Sequence, residues 1–159
     1  MIGPFRIAFA VALFIATTTI AKAAAYKTGD SFVGFSALDQ NSAAFNFKAG
    51  DARFILVDTP SERGASPQMQ DPDWLSKHRA LLVVNISDLS FIKRRVARSR
   101  MKSKPFRMLV VDDPQVAKKF PREEGKFSVL LLDEKGTITA VKFAPPGKEL
   151  QDLITGKQS

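Results

Sequence analysis

Phe127-Ser128-Val129-Leu130-Leu131-Leu132-Asp133-Glu134-Lys135-Gly136-Thr137-Ile138-Thr139-Ala140-Val141-Lys142-Phe143 is the stretch on which the fold turns. An apolar run from Phe127 to Leu132 stops at a polar turn, and a second run from Ile138 to Phe143 follows. Gly136 supplies a turn residue at ease with positive φ. The pattern predicts an antiparallel hairpin.

Upstream, three more apolar runs read as buried strands: Arg53–Asp58, Leu81–Ile86 with Asn85 as a polar exception, and Phe106–Val111. Between them lie helix signals. Asp71-Pro72-Asp73-Trp74 starts a short helix to about His78 or Arg79, with Asp71 as N-cap and Asp73 favouring the positive helix end. Asp88 is expected to cap a second helix reaching Met101 or Lys102 before Pro105. Asp112-Asp113-Pro114 turns into a helical piece over Gln115–Phe120. Lys148–Ile154 makes a terminal amphipathic helix, with Leu150, Leu153 and Ile154 on one side and Gly156 as its stop. Ahead of all these, Gly29–Leu38 alternates loosely to a turn at Asp39–Ser42, and Phe45 and Phe47 precede a turn at Ala49-Gly50-Asp51; a hairpin or two short strands is expected.

The order strand, helix, strand, helix, strand, hairpin, helix predicts an α/β domain with a mixed sheet. Gly29-Asp30-Ser31-Phe32 leading to Leu38-Asp39-Gln40, together with Val129–Ile138, resembles the entry and the final hairpin of the thioredoxin-like superfamily, its peroxiredoxins and exported thioredoxin-like proteins. The resemblance implies a three-layer sandwich with a central mixed β-sheet flanked by helices. It also implies a redox centre after the first core strand, where a cysteine at a helix N-terminus is held as thiolate. This chain has no cysteine. That place holds Thr59-Pro60-Ser61-Glu62-Arg63-Gly64-Ala65-Ser66, and Lys126-Phe127-Ser128 stands where many members carry a proline before the final hairpin. A serine hydroxyl neither ionises near neutral pH nor forms disulfides, so disulfide exchange and peroxide reduction by the chain's own side chains are excluded.

The N-terminus carries Arg6 and then an uncharged apolar run over Ile7–Ile20, shorter than the roughly 20 residues that span a bilayer. Ala21-Lys22-Ala23 and Ala23-Ala24-Ala25 suit signal peptidase. The expected organisation is a cleaved signal peptide over residues 1–25 and one domain over 26–159. The product is periplasmic or secreted, and not transmembrane once processed. A domain of that size needs no disulfide staples. Loss of Arg6 and Lys22 takes the formal charge from +8 to about +6. In an exported protein that charge points to lipid head groups, envelope polymers or acidic proteins, and not to nucleic acid.

The densest charge runs from Lys93 to Arg107 without a carboxylate. At about 100° per residue, Leu89, Ile92 and Val96 share one face while Arg94, Arg95, Arg98 and Lys102 gather opposite. The expected helix 89–102 therefore packs its apolar side inward and shows a basic outer side, either simply solvated or binding an anionic partner. Phe91 is the one aromatic within that helix, too few for a base-stacking platform. His78 is the sole histidine, unsuited to metal ligation by itself. Asp39-Gln40-Asn41 and Asp112-Asp113 are turn residues without the spacing of a calcium loop. Ser61 and Ser66 lack a recognisable base, and no Gly-x-Gly-x-x-Gly follows a strand, so no catalytic, metal or cofactor site is expected.

The functional expectation is a redox-inactive exported binding domain for an envelope protein or anionic envelope component. Its surfaces would be the loop starting Thr59, Pro60, Ser61 and Arg63 and the cations Arg94, Arg95, Arg98 and Lys102. Two alternatives stand beside it: a peripheral protein bound to anionic lipid through helix 89–102, and an enzyme with an unrecognised site.

Overall fold

The computed structural model describes residues 24–60 and 71–156; residues 1–23 of the expected signal peptide, the whole loop 61–70 and residues 157–159 lie outside them. Among the described residues, seven strands form one mixed sheet: β1 (Ser36–Asp39), β2 (Ala44–Asn46), β3 (Phe54–Asp58), β4 (Ala80–Asn85), β5 (Met108–Val111), β6 (Phe127–Leu132) and β7 (Ile138–Ala144). Their order across the sheet is β2-β1-β5-β4-β3-β6-β7. Strands β3, β4 and β5 are parallel, while β6, β7, β1 and β2 pair antiparallel.

Among the described residues, three helices connect strands, α1 (Pro72–Lys77), α2 (Phe91–Lys102) and α3 (Pro114–Ala117), and α4 (Lys148–Thr155) follows β7. The crossovers β3-α1-β4 and β4-α2-β5 step along the sheet in the same direction, so their shared hand puts α1 and α2 over one face. That face buries Leu56, Leu82, Val84, Met108, Val110 and Val129 against Leu75 of α1, Met101 of α2 and Leu150 and Ile154 of α4. Strand alternation sends Ile55, Val57, Val83, Leu109 and Leu130 to the opposite face. There the cover is α3 and an aromatic cluster from the N-terminal segment. Phe32 lies 4.8 Å from Phe35 and 5.0 Å from Phe47, and Phe35 meets Phe120 edge-on at 5.6 Å. The expected α/β sandwich is present, but one outer layer is largely aromatic loop.

The final hairpin folds as its residues dictate. Asp133 Oδ1 accepts from the amides of Lys135 and Thr137, both at 2.9 Å. Gly136 sits at φ +79°, and a Cβ there would stand 2.7 Å from Val33 Cγ2. The turn thus needs glycine for both its backbone and its proximity to the N-terminal segment. Asp71 and Asp113 cap α1 and α3, accepting from Asp73 and Gln115 amides at 3.0 and 2.8 Å. Gly156, at φ 72°, ends α4 in the left-handed conformation.

Three expectations need correction. The entry segment is strand only from Ser36; before it, Ser31 makes a lone bridge to Thr137, and Phe32 and Phe35 are core residues of a turn. Asp88 does not cap α2, whose N-cap is Ser90; the Asp88 carboxylate is taken by Arg122. The largest difference is the rotation of α2. Ile92 is 74% and Val96 46% exposed, as is Phe91 at 80%. The inward stripe is instead Arg94, Ala97, Arg98 and Met101, spaced i, i+3, i+4, i+7. The reason is local: Ala97 and Met101 meet the apolar face, while Arg94 meets main-chain carbonyls exposed beyond the ends of β4 and β5.

Candidate functional site at the carboxyl end of the central strands

Strand β3 runs apolar until its last residue, Asp58, which shares the helix-bearing face with Phe54 and Leu56. Beside it, antiparallel β6 begins at Phe127 and Ser128, with Ser128 opposite Val57. Where these ends meet, Asp58, Thr59 and Pro60 form one side of a cavity of about 450 Å³. Its other side is the segment Arg122–Lys126, with Asp88 and Pro146 at the margin.

That segment is tied down by side chains. Arg122 Nη1 donates to Asp88 Oδ2 at 2.5 Å, linking it to the loop after β4. Lys126 pairs with Glu123, and the Ser128 hydroxyl donates to the Pro121 carbonyl. The Arg122 hydrogen bond holds the Asp88 carboxyl below its ordinary value. Asp58 behaves oppositely: burial pushes its carboxyl up to about 6. The lining carries Asp58, Asp88, Glu123 and Glu124 against Arg122 and Lys126, an acidic hollow in a basic chain. Such a hollow can bind through hydrogen bonds and charge, and Asp58 can exchange a proton near neutral pH.

Of the loop residues singled out from sequence, Thr59 and Pro60 are half-buried and line this cavity, while Ser61 and Arg63 lie outside the described residues. None of the four α2 cations lines it. Arg94 turns inward, its Nε donating to the Leu89 carbonyl at 2.8 Å and its Nη2 to that of Ser87. Arg98 pairs with Asp112 at 2.5 Å, and only Arg95 and Lys102 of the four point freely into solvent. The His78 ring lies tilted against Trp74, centroids 4.8 Å apart, and donates from Nδ1 to the Trp74 carbonyl at 2.8 Å, closing α1. Asp39 and Gln40 are buried and structural: Asp39 Oδ1 accepts from the amides of Asn41 and Ala43, and Gln40 bonds to Phe106 and Met108 main chain. Among the described residues no group of three His, Cys, Asp or Glu is arranged to hold a metal ion.

Sequence reasoning missed Asp58, Asp88, Arg122 and Glu124. For Asp58 the signal was present, since one acid closes an otherwise apolar strand immediately before the loop expected to carry function. Arg122 gave none, because its partner Asp88 is 34 residues away.

No known family profile and no curated protein matches this chain. Solved structures do. A thiol:disulfide interchange protein from Bacteroides sp. superposes with a TM-score of 0.52 at 12% identity, over 86% of this chain and 91% of that one. A peroxiredoxin-like protein from Aquifex aeolicus gives 0.50 at 14% identity, over 83% and 86%. The thioredoxin domain of a thiol-disulfide oxidoreductase from Bacteroides vulgatus gives 0.50 at 14%, over 83% and 98%. With the strand order, the parallel centre and the final hairpin, these place the chain's architecture: it has a thioredoxin-like fold without a cysteine.

Proposed function

We propose that this protein is an exported, non-catalytic thioredoxin-fold domain that binds an envelope protein or envelope component at the carboxyl edge of its central strands. The observation that carries this reading is the acidic cavity between Asp58 and the Arg122–Lys126 segment. In α/β sheets ligands gather at the carboxyl ends of parallel strands, and loops held on such a scaffold carry recognition. Without cysteine the edge offers contact and charge in place of thiol chemistry. Export is supported by Arg6, the apolar run Ile7–Ile20 and the small-residue triplets that follow; no helix among the described residues is long and apolar enough to cross a membrane.

The test is amide chemical-shift mapping of labelled protein against fractionated envelope extract. The reading expects shifts confined to the neighbourhood of Asp58, Asp88, Arg122 and Ser128, lost in Asp58→Lys. Shifts confined to other surfaces would overturn it. The intact mass of protein recovered from its native compartment tests export separately, with Tyr26 as the expected first residue.

A further inference from the structure

We propose that the outer face of α2 is a docking surface for an anionic lipid bilayer. Three apolar side chains stand in water there, Phe91 at 80%, Ile92 at 74% and Val96 at 46% exposure. All fall in the first half of the helix, Ile92 and Val96 on the side turned away from Ala97 and Met101 and Phe91 on its flank. Exposed cations are interleaved with them: Lys93 and Arg100 beside Val96 on one side, and Arg95 and Lys102 between Ile92 and Phe91. From Leu89 to Val111 the chain contains no carboxylate, so nothing within that stretch offsets this charge. The two cations nearest the body are already committed, Arg94 to main-chain carbonyls and Arg98 to Asp112.

The combination selects its occupant. A polyanion such as nucleic acid or an acidic polymer satisfies the cations but leaves Phe91 and Ile92 in water. A bilayer satisfies both, because apolar side chains enter the boundary between head groups and acyl chains while long basic side chains reach the phosphates. The apolar residues are too few to hold the protein by themselves, so attachment needs both contributions and an anionic surface.

The absence of cysteine makes a local test straightforward. Ser99→Cys on the exposed side of α2, carrying an environment-sensitive fluorophore, is compared with Lys135→Cys in the β6–β7 turn. The full chain is used throughout, so residues 1–25 are common to every variant. With phosphatidylglycerol vesicles the label at 99 shifts to the blue and brightens, whereas the label at 135 does not, and phosphatidylcholine vesicles move neither. Phe91→Ser with Ile92→Ser lowers partition by about tenfold or more, as does joint replacement of Lys93, Arg95, Arg100 and Lys102 by Gln. These are exposed positions, and Arg94 stays intact. The proposal is overturned by no response at 99 on anionic vesicles, by an equal response at 135, or by undiminished partition of the Phe91/Ile92 variant. That last result would reassign the face to acidic polymers.

Discussion

Arg94 Nε lies 2.8 Å from the Leu89 carbonyl, five residues back along the chain. The same guanidinium donates to the Ser87 carbonyl, and Asp112 contributes a third, longer contact at 3.4 Å. One side chain therefore closes the turn between β4 and α2 and ties it to the end of β5. Replacing Arg94 by Met should lower unfolding free energy by about 1–3 kcal/mol, because main-chain acceptors lose a charged donor. Arg95→Met, two-dimensionally adjacent on the helix but solvent-facing, should stay within about 0.5 kcal/mol of wild type. Urea unfolding of the two variants checks this; equal effects would refute the structural role of Arg94.

Gly136→Ala should be among the more damaging single-atom additions. The position combines φ +79° with a Cβ site 2.7 Å from Val33 Cγ2 and 3.4 Å from Phe47. Backbone strain and overpacking together predict a loss of about 2–4 kcal/mol, seen as a lower unfolding midpoint in urea. Gly34→Ala has a comparable φ of +85° but open space around it, so it should lose only the backbone part.

Asp58 sets a pH dependence of stability with a definite sign. Its carboxyl is pushed up to about 6 in the folded protein by burial, above the unfolded value near 3.9. Between those limits the unfolded chain releases a proton that the folded one keeps. Its contribution to stability is thus fully present below about pH 4 and is lost as pH rises to about 6 and beyond, a loss of about 2–3 kcal/mol. Asp88 acts in the opposite sense and lower, its lowered carboxyl costing stability as pH falls below the ordinary carboxylate range. Asp58→Asn should flatten the pH 4–6 limb in denaturant titrations and leave the acid limb.

Helix α2 should be the first part of the described domain to open. Met101 is its one buried side chain, so its hold on the sheet depends on that contact, on Ala97 and on Arg94. Hydrogen exchange should therefore be faster for amides of α2 than for those of β3 and β4. Met101→Ala should widen the gap and cost about 2–3 kcal/mol overall.

Much of the fold was legible because its signals are local. Each central strand is an apolar run whose polar exceptions, Asp58 and Asn85, stand at its last position, the turn at Asp133–Gly136 carries its own acceptor and glycine, and Asp71, Asp113 and Gly156 mark helix ends within a residue or two. The rotation of α2 was not legible, since its sequence offers two stripes. The more apolar one, Leu89-Ile92-Val96, loses to one containing arginines because carbonyls at the ends of β4 and β5 provide partners that periodicity cannot see. The cavity was half legible. Thr59 and Pro60 follow from where a core strand ends, whereas Arg122 and Asp88 meet only once the sheet is formed.

The sheet ends in two very different margins. On one side lies β2, only three residues long, so it gives a neighbouring chain little to pair with. On the other lies β7, seven residues long, whose pairing with β6 is broken by an irregularity at Leu131/Leu132 and which carries Lys142 next to its central residue Val141. A bent margin with a charge near its middle is a poor template for strand addition. The protein can therefore be concentrated at a surface, where copies crowd side by side, without its sheets joining edge to edge.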